Sequence, residues 1–180
     1  MLVNILKRAK YLATQGIELP GTGALKHFLA ADYTWNDFEE NPAILQKFLE
    51  LDDFDVMSGI KDWTHHSDRI LSDLSSRIIH RNLLKIRLQE EPFEEELAEK
   101  MAEGIRNQYG FTDGEERYML IVDKVKNHAY NNKKGHINLL YKDGRTSNIS
   151  TAADQMTITA LSEPVERHFI CFPRELRHLL

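Results

Sequence analysis

The sequence predicts an α+β fold: a multi-helix N-terminal lobe, mainly α, followed by a small antiparallel sheet that carries one long helix. Three observations predict it. Apolar residues recur at spacings of three and four almost throughout residues 1–82. From Leu83 the period changes to two. An Asp143-Gly144 pair then marks a tight hairpin turn between two short strand-like runs. The expected division is a helical lobe over 1–82 and an α+β lobe over 83–180.

Taken in order, Leu2, Ile5, Leu6, Ala9, Leu12 and Ala13 form the stripe of an amphipathic first helix, with Gly16 suited to end it. No capping residue stands in front of Met1, so this helix reads as cut from something longer. Pro20, Gly21 and Gly23 make a loop, and Thr22 caps a short helix from Ala24 to Ala30. Thr34 with Asp37 three residues on is a second start signal, and Asn41-Pro42 a third, leading a helix to about Leu51. Asp52 or Asp53 caps a helix through Val56, Ile60 and Trp63. Ser67 caps a last one carrying Ile70, Leu71, Leu74, Ile78 and Ile79.

In the second part Leu84, Ile86 and Leu88 alternate with Lys85, Arg87 and Gln89, the pattern of a half-buried strand. Pro92 opens a helix from Phe93 to about Tyr109, its acidic first turn suited to the helix dipole. Strands are expected over Tyr118–Val125, His136–Tyr141, Arg145–Ile149, Thr157–Leu161 and Arg167–Phe172.

Composition bounds the function. The chain has 180 residues, 42% hydrophobic and 28% charged, which supports a packed core and excludes wholesale disorder. The formal charge is −5, which argues against general nucleic-acid binding. One cysteine, Cys171, excludes an intrachain disulfide and a multi-thiolate zinc site. Its apolar run predicts a buried thiol. No run is long enough to span a membrane, and the first residues lack the order of a signal peptide. The expectation is a cytoplasmic protein with no membrane partner.

The chemistry-bearing residues are few. The eight histidines include no His-Asp pair and no helical i, i+4 zinc spacing. His65 with Asp68 is a weak metal candidate beside a solvated loop. Asp52, Asp53 and Asp55 allow acid/base work, but fit a helix N-terminus better. No nucleophile elbow, Walker loop or dinucleotide fingerprint occurs. Lys133-Lys134-Gly135 reads as a solvated turn able to touch phosphate. The stronger feature is the basic cluster Arg77, His80, Arg81, Lys85 and Arg87. Arg81 at a helix exit and Lys85 on the next strand place a bidentate guanidinium and a point-charge ammonium on stiff elements. That pairing suits a polyphosphate. The competing account is a cationic last turn that complements the helix dipole.

Several segments together resemble the C-terminal region of HD-domain phosphohydrolases, in the deoxynucleoside triphosphate triphosphohydrolase-like branch. They are Leu51-Asp52-Asp53-Phe54-Asp55, Ile60-Lys61-Asp62-Trp63, Asp68, Ile70-Leu71 and Arg81-Asn82-Leu83-Leu84-Lys85. Ile5-Leu6-Lys7-Arg8-Ala9-Lys10, Ala24-Leu25-Lys26-His27-Phe28-Leu29, Gln89-Glu90-Glu91-Pro92-Phe93 and Tyr141-Lys142-Asp143-Gly144 fit the same region, so the resemblance covers nearly the whole chain.

The resemblance implies a parent enzyme whose divalent metal is held upstream by a His, a His-Asp pair and a further Asp. None of these maps onto this sequence, so no catalytic or metal residue and no cofactor are expected within it. It also implies that Arg81 and Lys85, matching an Arg-x-Leu-x-Lys segment, contribute to a nucleotide effector site at subunit contacts. The implied partners are an upstream HD catalytic domain, further copies of the chain in a homo-oligomer and the nucleotide effector. The alternative is a non-catalytic oligomerisation module that binds no nucleotide. A nucleic-acid binder using the Arg77–Arg87 face is disfavoured, since no aromatic platform interleaves with those cations.

Overall fold

The computed structural model describes residues 1–127, 138–148 and 165–180. They group into two compact units. The first contains Met1–Ile86, Glu95–Ile121 and Cys171–Leu180; the second contains Arg87–Glu94 and Val122–Ile170. The grouping differs from a single cut after residue 82, because the long helix lies with the N-terminal helices.

The first unit is helical. Its elements are α1 (Leu2–Thr14), α2 (Gly23–Ala30), α3 (Trp35–Glu40), α4 (Pro42–Leu49), α5 (Asp53–Trp63), α6 (Arg69–Ile79) and α7 (Glu95–Tyr109), with short 3₁₀ helices at Glu116–Tyr118 and Arg174–Leu179. The start signals work as expected. Thr22 accepts from the Leu25 N–H, Asn41 from the Ala43 N–H ahead of Pro42, and Thr34 and Asp37 close a capping box. Asp52 and Asp55 close another at the head of α5. One cap differs from the sequence reading. Asp68 rather than Ser67 caps α6, accepting from the Leu71 N–H at 2.8 Å. A carboxylate there also receives Arg8, which a serine hydroxyl would not hold as an ion pair.

The stripes meet as their spacing requires. Ile5, Ala9 and Leu12 of α1, Leu25 of α2, Ile60 and Trp63 of α5, and Ile70, Leu71 and Leu74 of α6 are buried together with Met101 and Ile105 of α7. Each fully buried Leu or Ile contributes about 1.5–3 kcal/mol over an exposed one. Trp63 is closed off from solvent and donates its indole N–H to the Pro20 carbonyl at 2.8 Å, so its one polar atom is satisfied. Cys171, expected to be buried, is only partly so. Burial still pushes its thiol pKa up, which keeps it protonated at neutral pH. No described helix is long and apolar enough to cross a membrane.

The strands are β1 (Lys85–Gln89), β2 (Ile121–Asn127), β3 (Asn138–Leu140), β4 (Thr146–Asn148) and β5 (Val165–Phe172). They form a three-stranded sheet in the order β1-β5-β2 and, within the second unit, an antiparallel hairpin of β3 and β4. Glu166 of β5 pairs with Lys124 and Lys126 of β2, and Arg167 pairs with Glu90 just past β1. The hairpin turns at Asp143-Gly144, with Gly144 at φ +84° and Asp143 accepting from the Arg145 N–H. Together the helices and strands make the expected α+β fold.

Two strand readings are corrected. Tyr118 lies in a 3₁₀ turn and is buried, and its strand begins only at Ile121. β1 is not half-buried: Ile86 is 56% exposed and Leu88 52% exposed. A two-residue period says which side chains share a face, not whether anything covers it, and β1 is a sheet edge. The strand expected at Thr157–Leu161 and the Lys133-Lys134-Gly135 turn lie outside the described residues.

Candidate functional site

The basic cluster forms where α6 ends. His80 is the C-cap; the Asn82 N–H reaches the Arg77 carbonyl at 2.9 Å, and the Arg81 N–H reaches Ile78 at 3.2 Å. These two bonds make a Schellman motif, whose αL position is occupied by Arg81 at φ +56°. Among the described residues it is the one non-glycine residue with positive φ. The chain then turns into β1 at Lys85. The Leu84 N–H lies 3.3 Å from the Met1 sulfur, so the start of α1 sits beside this corner.

The structure separates Arg77 from Arg81 and Lys85. Arg81 and Lys85 are exposed, and their side chains make no hydrogen bond or ion pair with described residues. His80 turns Nδ1 onto the Ser76 carbonyl at 3.0 Å. Arg77 points the other way. It is 5% exposed, bonds Asp73 at 2.6 Å and the Tyr109 hydroxyl at 3.0 Å, and lies 3.6 Å from Glu175. Arg77 is therefore a strut between α6, α7 and the C-terminal 3₁₀ helix, not a ligand group. Burial pushes the Tyr109 hydroxyl up to about 12, so it stays a neutral donor and acceptor.

Other candidates take structural roles. The Asp52 and Asp55 carboxylates are engaged by backbone N–H groups at the head of α5. Asp68 accepts a bidentate guanidinium from Arg8, with contacts of 3.1 and 2.6 Å, besides capping α6, and its own N–H donates to His66 Nδ1. These donor sets do not fit a metal ion. Among the described residues no group of three or more His, Cys, Asp or Glu side chains is placed to hold one.

Sequence reading missed two features of α1. Arg8 bridges Asp68 and Glu115 and lies over the rings of Tyr11 and Tyr118. Within two turns of Met1, Asn4 and Lys7 join Arg117 and Tyr118 around a recess of about 340 Å³, and Lys7 and Arg117 face no acidic partner among the described residues. Both features depend on residues at least 60 positions apart, which no local pattern announces.

No family model matches the chain, and no curated protein does. Solved structures do. The chain is similar to a phosphohydrolase from Bacteroides thetaiotaomicron VPI-5482, with 36% sequence identity and a TM-score of 0.83. The similarity covers 96% of this chain and 43% of that one. The chain thus spans less than half the length of that solved phosphohydrolase.

Proposed function

We propose that the chain is the C-terminal accessory and regulatory portion of an HD-superfamily metal-dependent phosphohydrolase, with deoxynucleoside triphosphates as the favoured substrate class. The observation that supports it most is the match of 96% of the chain to 43% of a phosphohydrolase. The rest of such an enzyme supplies the catalytic metal centre, and this sequence carries no His-Asp pair. The chain's own work is to complete the helical bundle, support contacts between copies and sense a nucleotide.

Arg81 and Lys85 are the residues assigned to that nucleotide. They sit four residues apart across the corner between α6 and β1, exposed and with no acidic partner among the described residues, an arrangement that suits polyphosphate recognition. Arg77 is withdrawn from the cluster by its burial. Two cations neutralise only part of a triphosphate, so nucleotide binding by this chain alone is weak.

Two measurements test the reading. The 180-residue chain, incubated with Mn²⁺ and a panel of nucleotides, shows no turnover; metal-dependent hydrolysis overturns the assignment. dGTP raises the melting temperature of the chain slightly, and Arg81→Ala and Lys85→Ala each weaken that response about tenfold. Responses equal to wild type in both variants remove the two residues from the site.

A further inference from the structure

The first two turns of α1 and the 3₁₀ turn at Glu116–Tyr118 border the recess of about 340 Å³ lined by Asn4, Lys7, Arg117 and Tyr118. Arg81 and Lys85 are not part of its lining. The two sides are tied together. The Asn4 side-chain amide donates to the Tyr118 carbonyl at 2.9 Å and to the Arg117 carbonyl at 3.5 Å, which fixes the turn against α1. Tyr118 is buried, and the Arg117 guanidinium lies over its ring, 5.6 Å from the centroid. That contact steadies the guanidinium through the ring face and leaves its N–H groups for a ligand.

The electrostatics point to an anion. Lys7 and Arg117 are exposed, and neither meets a carboxylate among the described residues. The acids next to Arg117 in sequence are turned to other partners. Glu115 accepts from Arg8 at 3.2 Å and from the Thr112 N–H at 3.0 Å. Glu116 accepts from the Gly114 N–H at 2.9 Å and lies 3.6 Å from Arg106. Asp68 closes on Arg8. Two like charges therefore share one recess, a repulsion that a bound anion relieves. The guanidinium offers paired N–H groups that match two oxygens of one phosphate, and the ammonium adds a point charge. The volume stands at the small end of ligand sites, which run from roughly 300 to 1,000 Å³.

We propose that this recess binds the phosphate group of a small molecule, held by Arg117 and Lys7, at a site separate from the Arg81–Lys85 pair. The site stands on its own residues, whatever the fate of the nucleotide assignment.

The test titrates inorganic phosphate into the 180-residue chain at fixed ionic strength, balanced with chloride, and follows amide NMR signals. The signals of Asn4, Lys7, Arg117 and Tyr118 move and saturate, with a dissociation constant on the order of millimolar. Lys7→Met and Arg117→Met keep the aliphatic stems and each weaken binding about fivefold or more. Arg117→Lys keeps the charge and weakens it less, and Arg81→Ala leaves it unchanged. Both positions are exposed, so each unliganded variant melts within about 2 °C of wild type. Should Arg117→Met melt lower than that, Lys7→Met and Arg117→Lys decide. Ribose 5-phosphate is the second probe. Tighter binding of the ester assigns the site to a phosphomonoester, and binding of the ion at least as tight assigns it to free phosphate; either supports the site. Shifts that never saturate, or an affinity untouched by the Lys7 and Arg117 variants, overturn the proposal. So does a response lost in Arg81→Ala, which places the phosphate at the corner. Tighter binding of succinate makes the recess a carboxylate site and overturns it as well.

Discussion

Arg81 occupies a backbone position that favours glycine, and Arg8 occupies a position that a short side chain would leave empty. At φ +56° the Cβ of Arg81 crowds the backbone, at a cost of about 1 kcal/mol. Its guanidinium makes no contact with described residues that offsets this. Arg81→Gly therefore raises the unfolding free energy by about 0.5–1 kcal/mol in a urea titration, less the entropy glycine adds to the unfolded chain. A destabilised glycine variant would mean that the arginine side chain supports the fold. Arg8 is the opposite case. Burial works to raise the Asp68 and Glu115 carboxylates, but hydrogen bonds from Leu71, Thr112 and Arg8 hold both below their ordinary range. With folded values depressed, their contribution is fully present above about pH 4–5, where the unfolded carboxylates are ionised. It is lost as pH falls through the folded values. Arg8→Ala costs about 2–3 kcal/mol at pH 7 and flattens the loss of stability on acidification. Melting curves from pH 7 to pH 3 check both, and an unchanged acid limb would sink the assignment.

Among the elements, α5 shows how a helix breaks a propensity rule for the sake of packing. A Cβ at Gly59 would stand 2.9 Å from Leu25 Cδ2 and 3.0 Å from Trp63 Cζ2. Trp63 is closed from solvent and pinned by its bond to Pro20, so it cannot give way. Gly59→Ala gains about 1 kcal/mol of helix propensity and loses about 1–3 kcal/mol to overpacking. The expected net is a loss near 1 kcal/mol, read from the urea midpoint; a stabilised variant would show that Leu25 repacks freely. The boundaries of α2, α3, α4 and α5 were legible because Thr22, Thr34, Asn41-Pro42 and Asp52 satisfy backbone donors locally. The start of α7 was read two residues early, since Pro92 permits a first turn but does not require one. The exposure of Ile86 and the burial of Arg77 were not legible. Each depends on which distant element lies opposite, and the Arg77 strut needs Tyr109 and Glu175, which are 32 and 98 positions away. Of the candidate site, Arg81 and Lys85 could be read from helix exit and strand start, while the recess at Asn4 and Arg117 could not.

For the whole chain, the helical unit is finished by its last residues. Leu176 is buried, and it and Leu179 come so close to Gly104 that a methyl group there would lie 2.7 Å from Leu179 and 3.5 Å from Leu176. Glu175 meets Arg77 and the Tyr109 hydroxyl from the same 3₁₀ helix. Residues 171–180 thus close contacts with α6, 98 positions earlier at Arg77–Glu175, and with α7, 66 positions earlier at Tyr109–Glu175. Such closure is entropically expensive, and it makes the final turn a determinant of both stability and folding rate. Removing residues 174–180 strips Leu176 and Leu179 from Gly104 of α7 and leaves Arg77 short of one carboxylate. Losing Leu176 alone is worth about 2–5 kcal/mol, and at 180 residues each kcal/mol moves the melting temperature by about 2–4 °C. The truncated chain should melt at least about 4 °C lower. Amide exchange should quicken in α6 and α7 while the β3–β4 hairpin is unchanged. A truncated chain that keeps its melting temperature would show that the C-terminal helix rests on the unit without supporting it.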